Sequence, residues 1–122
     1  MRITTQPEIS ESVLDAQGKV MQGLIGRPAE LGGTTNHSMF YVVIRPGHSF
    51  PAHYHKVIEE TYYILTGAAY IVVDGQRFSL EPGQAVVLLP GEVHEIGCAG
   101  DGPLTFMAVT APTFDPADVY LV

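Results

Sequence analysis

Residues 47–67 read GHSFPAHYHKVIEETYYILTG, and this stretch decides the fold. Side chains on a β-strand alternate between its two faces, so residues two apart point the same way. His53 and His55 can therefore aim both imidazoles at one point. Glu60 lies five residues beyond His55, which is the wrong parity for one continuous strand. A turn over residues 56–59 resolves the mismatch. It places Glu60 at the start of a returning strand, 60–66, where its carboxylate can face the same point. Gly67 ends that run.

Working outward, the chain breaks into short apolar segments separated by turn residues. Residues 20–25 and 39–45 read as strands, the second stopping at Pro46-Gly47. Residues 69–73 end at Asp74-Gly75, a strong hairpin signal. Residues 76–80 end at Pro82-Gly83, and 84–89 at Pro90-Gly91. Strands over 94–98 and 104–110 complete the set. The thirteen glycines and nine prolines are scattered singly, as punctuation between strands and not as low-complexity tracts. Residues 26–33 read as a loop, and 10–19 as a helical turn or an edge strand. The tail, 112–122, is expected to lie over the outside of the barrel or to reach a second subunit. Short strands at this spacing predict an all-β sandwich or closed barrel, and 122 residues suit one domain over 1–122.

Composition narrows the function. Apolar residues make up 46% of the chain, enough for a packed core. Thirteen acidic residues against six basic ones give a net charge of −7, with no basic cluster to neutralise phosphates. Neither nucleic acid nor an anionic membrane is an expected partner. The opening MRITTQPEIS lacks the apolar region of a secretory signal, and no run is long enough to span a bilayer. Cys98 is the single cysteine. The expectation is a cytoplasmic protein.

His94 follows the Pro90-Gly91 turn, at the start of a later strand, and can join His53, His55 and Glu60. Three imidazoles and one carboxylate suit one divalent transition metal ion, namely Fe, Mn, Ni, Zn or Cu. Mg and Ca prefer all-oxygen cages. Four protein ligands in octahedral geometry leave two positions open for water, oxygen or a chelating substrate, as catalytic sites require.

At this point the sequence resembles a known family. Gly47, His53, His55, Glu60 and Gly67 match every spacing of the first cupin motif, and Glu59 does not. Gly83, Gly91 and His94 fall in place in the second motif, residues 83–98. Two departures, Leu89 for a usual proline and Cys98 for a usual asparagine, leave the four ligand positions intact. The resemblance spans about residues 39–112. It implies a double-stranded β-helix, or jelly-roll barrel, of six to eight strands. It also implies a metal on the four named residues and frequent homodimerisation. It implies no single reaction, because the family includes dioxygenases, isomerases, lyases, decarboxylases and non-catalytic binders.

Tyr62, two residues beyond Glu60, shares its inward face. It is the candidate catalytic residue, orienting a substrate or acting as a base, against the reading of a barrel-lining aromatic. Tyr41, Ile64, Val87 and Phe106 are candidates for the pocket wall or for ordinary core. Cys98 shares the parity of His94 and is read as a small buried hydrophobe. His48 is expected to face away, and His37 to sit in a solvated loop. Arg45 is read as a partner for a substrate carboxylate or a surface ion pair. Glu59, Glu92 and Glu95 are expected to face solvent, with Glu92 near the mouth a candidate base. The leading expectation is a metal-dependent enzyme, of the Fe(II) dioxygenase type, on a small polar metabolite that chelates the metal through two oxygens. A metal-dependent isomerase, lyase or cyclase is the first alternative, and a non-catalytic small-molecule-binding module the second.

Overall fold

A computed structural model describes residues Met1–Val122. Ten strands form two five-stranded antiparallel sheets. They are β1 (Lys19–Ile25), β2 (Ser38–Ile44), β3 (Ser49–Tyr54), β4 (Glu59–Thr66), β5 (Ala69–Val73), β6 (Gln76–Leu80), β7 (Ala85–Leu88), β8 (His94–Cys98), β9 (Leu104–Ala111) and β10 (Tyr120–Leu121). The first sheet runs β1-β2-β9-β4-β7 and the second β10-β3-β8-β5-β6. The chain crosses between sheets repeatedly, as a jelly roll requires. The resemblance implies eight strands at most. β1 and β10 occupy the outer positions of their sheets and take the count to ten.

The turn chemistry read from the sequence sets the hairpins. Asp74 and Gly75 both have positive φ, 48° and 84°, the pair of left-handed residues that a two-residue hairpin turn needs. β5 and β6 accordingly pair from Val73↔Gln76 to Ala69↔Leu80.

Strand parity then builds the interior in layers. Along β9, Leu104, Phe106, Ala108 and Thr110 point in, and the residues between them are partly exposed. Thr110 stands opposite Glu60, Ala108 opposite Tyr62 and Phe106 opposite Ile64. One end of the interior is thus polar, and the layers below it are apolar. Ile44, Ile64, Ile71, Ile96, Leu104 and Phe106 form the fully buried centre of that core. Burying each such side chain contributes about 1.5–3 kcal/mol of transfer free energy.

Residues 10–19 resolve as a helix, α1 (Glu11–Gln17), closed by Gly18 in the left-handed region at φ 73°. Arg45 bonds Glu11 at 2.7 Å and Asp15 at 2.9 Å, one turn apart on the helix. Of its two readings, the surface ion pair is therefore the one the fold realises. The tail packs against the barrel. It returns along the edge of the second sheet, where β10 pairs with β3, Leu121 against His53. No helix is long and apolar enough to cross a membrane.

Candidate metal centre

Each of the four candidate ligands is placed by a different local device. β3 and β8 pair antiparallel, and a register shift between Phe50 and His53 brings His53 directly opposite His94. Such a bulge re-aims side chains next to functional sites. His55 is the first residue past β3. Glu60 is the second residue of β4, held between β9 and β7. The ligand atoms of His53, His55, Glu60 and His94 all lie within 4.8 Å of one another. The imidazole rings sit 4.3 to 5.5 Å apart, centroid to centroid.

The tautomer of each histidine follows from its backbone partner. His53 Nδ1 lies 2.7 Å from Pro51 O, His55 Nδ1 2.9 Å from Asp118 O, and His94 Nδ1 3.0 Å from Glu92 O. A carbonyl oxygen can only accept, so each Nδ1 must donate. A neutral imidazole protonated at Nδ1 presents its lone pair at Nε2. All three rings are thus held with the second nitrogen free to ligate, in the pattern that orients metal-binding histidines.

The residues present fit a metal on two further counts. Nε2 of His55 and Nε2 of His94 are buried without a hydrogen-bond partner. A buried polar atom left unpaired costs about 1–3 kcal/mol, a deficit that an ion bound there would offset. His55 Nε2 does lie 3.1 Å from Glu60 Oε2, but the two are not aligned as a hydrogen bond. The donor set, nitrogen with one carboxylate, is the second count: it suits the transition metals named above.

Burial and mutual interactions shift these groups in different directions. Burial alone would raise the Glu60 carboxyl, but His55, the Tyr62 hydroxyl and His94 outweigh it and hold the group below the usual carboxylate range. Burial alone would lower the His55 imidazole, but Glu60 and the Asp118 carbonyl reverse this and raise it. For His94, burial prevails and the ring is pushed down, toward the neutral form a ligand needs. Burial, together with the Glu60 charge, raises the Tyr62 phenol well above its ordinary value. Its ring packs edge-on against Phe106, with centroids 4.9 Å apart.

Three of the quartet, His53, His55 and Glu60, line a cavity of about 180 Å³, and His94 is buried beside them. Val42, Phe50, Phe106, Ala108, Phe114 and Leu121 supply much of its wall. Phe106 is thus a wall residue, and Ile64 belongs to the core below. Two of the expected wall residues are corrected. Val87 is 53% exposed, because Val86 and Leu88 are the residues of β7 that turn inward. Tyr41 stands on the opposite face of β2 from Val42, outside the cavity.

The remaining candidates fall away from the site. Cys98 Sγ donates to Gly102 O at 3.1 Å, two inward layers beyond His94. The His48 ring packs over Gly18. Glu92 accepts from the Leu89 N–H at 2.7 Å, so this candidate base instead braces the turn before His94. Glu95 accepts from the Tyr70 hydroxyl at 2.8 Å. Glu59 is exposed, as is His37.

The sequence reading missed one residue that braces the site. Asp118 accepts at its carboxylate from the N–H groups of Lys56, Val57 and Ile58, at 2.9, 3.1 and 2.9 Å. Its own carbonyl holds His55. It thus fixes both the turn between the ligand strands and one ligand's orientation. Only the demand of that turn for hydrogen-bond acceptors pointed toward such a residue. Burial alone would raise the Asp118 carboxyl; the three N–H donors outweigh it and hold the group below its ordinary value.

A jelly-roll barrel with a His-His-Glu-His group at one end, able to hold a metal ion, defines a class of metal-site β-barrel proteins. The chain belongs to the cupin family, whose domain model, described as "Cupin domain", matches residues 40–110. No curated protein matches the sequence. Among solved structures, an uncharacterized conserved protein with a double-stranded β-helix domain from Klebsiella pneumoniae is similar. It has a TM-score of 0.73 and 20% identity over 96% of this chain and 98% of that one. A predicted oxalate decarboxylase from Thermotoga maritima has a TM-score of 0.69 and 26% identity over 77% and 80%. KdgF from Halomonas sp. has a TM-score of 0.69 and 19% identity over 82% and 84%.

Proposed function

We propose that this protein is a metal-dependent enzyme acting on a small metabolite that chelates the metal through two oxygens, with oxygen as co-substrate. One observation carries the reading. Three imidazoles are locked by backbone carbonyls with Nε2 directed at a common point beside the Glu60 carboxylate, and a cavity opens onto that point. An Fe(II)-type ion held by His53, His55, Glu60 and His94 would supply electron transfer between substrate and oxygen.

The surrounding side chains favour this chemistry over proton transfer. Glu60 belongs to the ligand set. Glu92 and Glu95 are committed to hydrogen bonds elsewhere. Tyr62 lines the cavity beside Glu60, where its hydroxyl can help to orient a substrate. No uncommitted base faces the cavity.

The test is elemental analysis of the purified chain, followed by oxygen uptake with Fe(II) and a panel of chelating diols and hydroxy-ketones. Substrate-dependent oxygen consumption supports the proposal. Turnover without oxygen would move the protein to isomerases or lyases, and metal-dependent binding without turnover to binding modules. Either outcome refutes the oxygen chemistry proposed here.

A further inference from the structure

The cavity above the quartet carries a statement about its occupant, and this rests on the metal-dependent reading above. Apart from His53, His55, Glu60 and Tyr62, every residue lining it is apolar. None of the chain's six cationic side chains lines it. Arg45 is paired with Glu11 and Asp15. Arg77 lies over the Tyr70 ring, Lys56 over the Tyr120 ring, and Arg2 donates to Glu30 O. Arg27 lines a separate depression, with Asp115 and Asp118. The Lys19 ammonium lies 4.9 Å from the centroid of Phe50, a wall residue, but it donates to Ser49 O at 2.6 Å.

The charge count inside this wall limits what can bind. A divalent ion, one carboxylate and three neutral imidazoles leave a single net positive charge. Uncompensated charge in an apolar site is costly. A ligand bound as a monoanion, its second hydroxyl proton retained, brings the sum to zero. A dianion leaves one negative charge in excess, with no Lys or Arg in the wall to pair it. A remote carboxylate on the ligand's body would lie among Phe106, Ala108 and Phe114. Size sets a second limit. A dry cavity of roughly 150 Å³ holds benzene. The 180 Å³ found here therefore suits a ligand of about six to ten non-hydrogen atoms.

We infer that the cavity selects small ligands with one adjacent pair of oxygens and an apolar body, the catechol and hydroxy-ketone class, over dicarboxylates. The ligand releases one hydroxyl proton to solvent on binding and places its hydrocarbon part against Phe106, Ala108 and Phe114.

The test uses the full chain loaded with Co(II), whose visible spectrum reports on its ligands. Catechol and oxalate are titrated separately, with each affinity taken relative to the same ligand's binding to free Co(II). The expected result is a preference for catechol of tenfold or more. Ala108→Leu, which fills the cavity, is expected to retain Co(II) and weaken catechol tenfold or more. Val119→Arg, which adds a cation to the wall, is expected to narrow the preference. Co(II) bound normally with oxalate equal or preferred overturns the ligand class and leaves the metal reading standing. Failure of the wild-type chain to bind Co(II), Fe(II) or Mn(II) overturns both. The wild-type comparison decides the matter by itself should Ala108→Leu fail to fold.

Discussion

Replacing Asp118 with alanine removes an acceptor that holds three consecutive backbone N–H groups, those of Lys56, Val57 and Ile58. The Ile58 N–H is buried and would be left unpaired, at a cost of about 1–3 kcal/mol. The other two lie in a part-buried setting where water can replace the carboxylate. Each then loses about 0.5–1 kcal/mol. The total is about 3 kcal/mol, or a fall in Tm on the order of 10 °C for a chain of this size. The same change loosens the carbonyl that orients His55, so metal affinity should fall about tenfold. Thermal melts and metal competition titrations of wild type, Asp118→Asn and Asp118→Ala at neutral pH measure both quantities. Asp118→Asn keeps one acceptor oxygen and should fall between the others. The pH dependence has a definite sign. The folded carboxyl is held below its ordinary value, so its stabilisation is present above the unfolded value of about 3.9 and is lost as pH falls through the folded one. The gap between wild type and Asp118→Asn should therefore close in acid. An Asp118→Ala variant that melts within about 2 °C of wild type and binds metal equally well would refute the reasoning.

Tyr62→Phe should retain the metal and lower kcat by tenfold or more if the hydroxyl, which lines the cavity beside Glu60, orients the substrate; an unchanged kcat returns Tyr62 to the wall. Arg45→Ala, which removes an ion pair on an exposed helix, should cost no more than about 1 kcal/mol in a denaturant melt. Phe106→Ala should cost about 3–5 kcal/mol, because the ring is fully buried in the core cluster. A homodimer is expected at micromolar concentration, given that Tyr63, Leu65 and Val87 stand exposed on the first sheet; sedimentation as a monomer would contradict it.

The parts of this structure that the sequence made legible are those where chemistry is local. Asp74-Gly75 and the Pro-Gly pairs marked strand ends because only particular residues tolerate those turns. The ligands were legible because strand parity and one intervening turn leave few ways to face three histidines and a glutamate together. Parity failed where both faces of a strand are apolar. Residues 85–89 read Ala-Val-Val-Leu-Leu, so no pattern chose Val86 and Leu88 over Val87 as the inward residues. Residues 39–44 present the same ambiguity for Tyr41. The helix Glu11–Gln17 and the tail were beyond reach for another reason. Their partners, Arg45 for the helix and residues 53–58 for the tail, lie 30 to more than 60 positions away. The role of Asp118 exists only once the barrel has closed.

Anomalous scattering from a crystal of the metal-loaded protein tests the central claim most directly. The account places one ion about 2.0–2.2 Å from Nε2 of His53, His55 and His94 and from a Glu60 carboxylate oxygen. An ion bound elsewhere, ligation through Nδ1, or no bound ion in fully loaded crystals would contradict it.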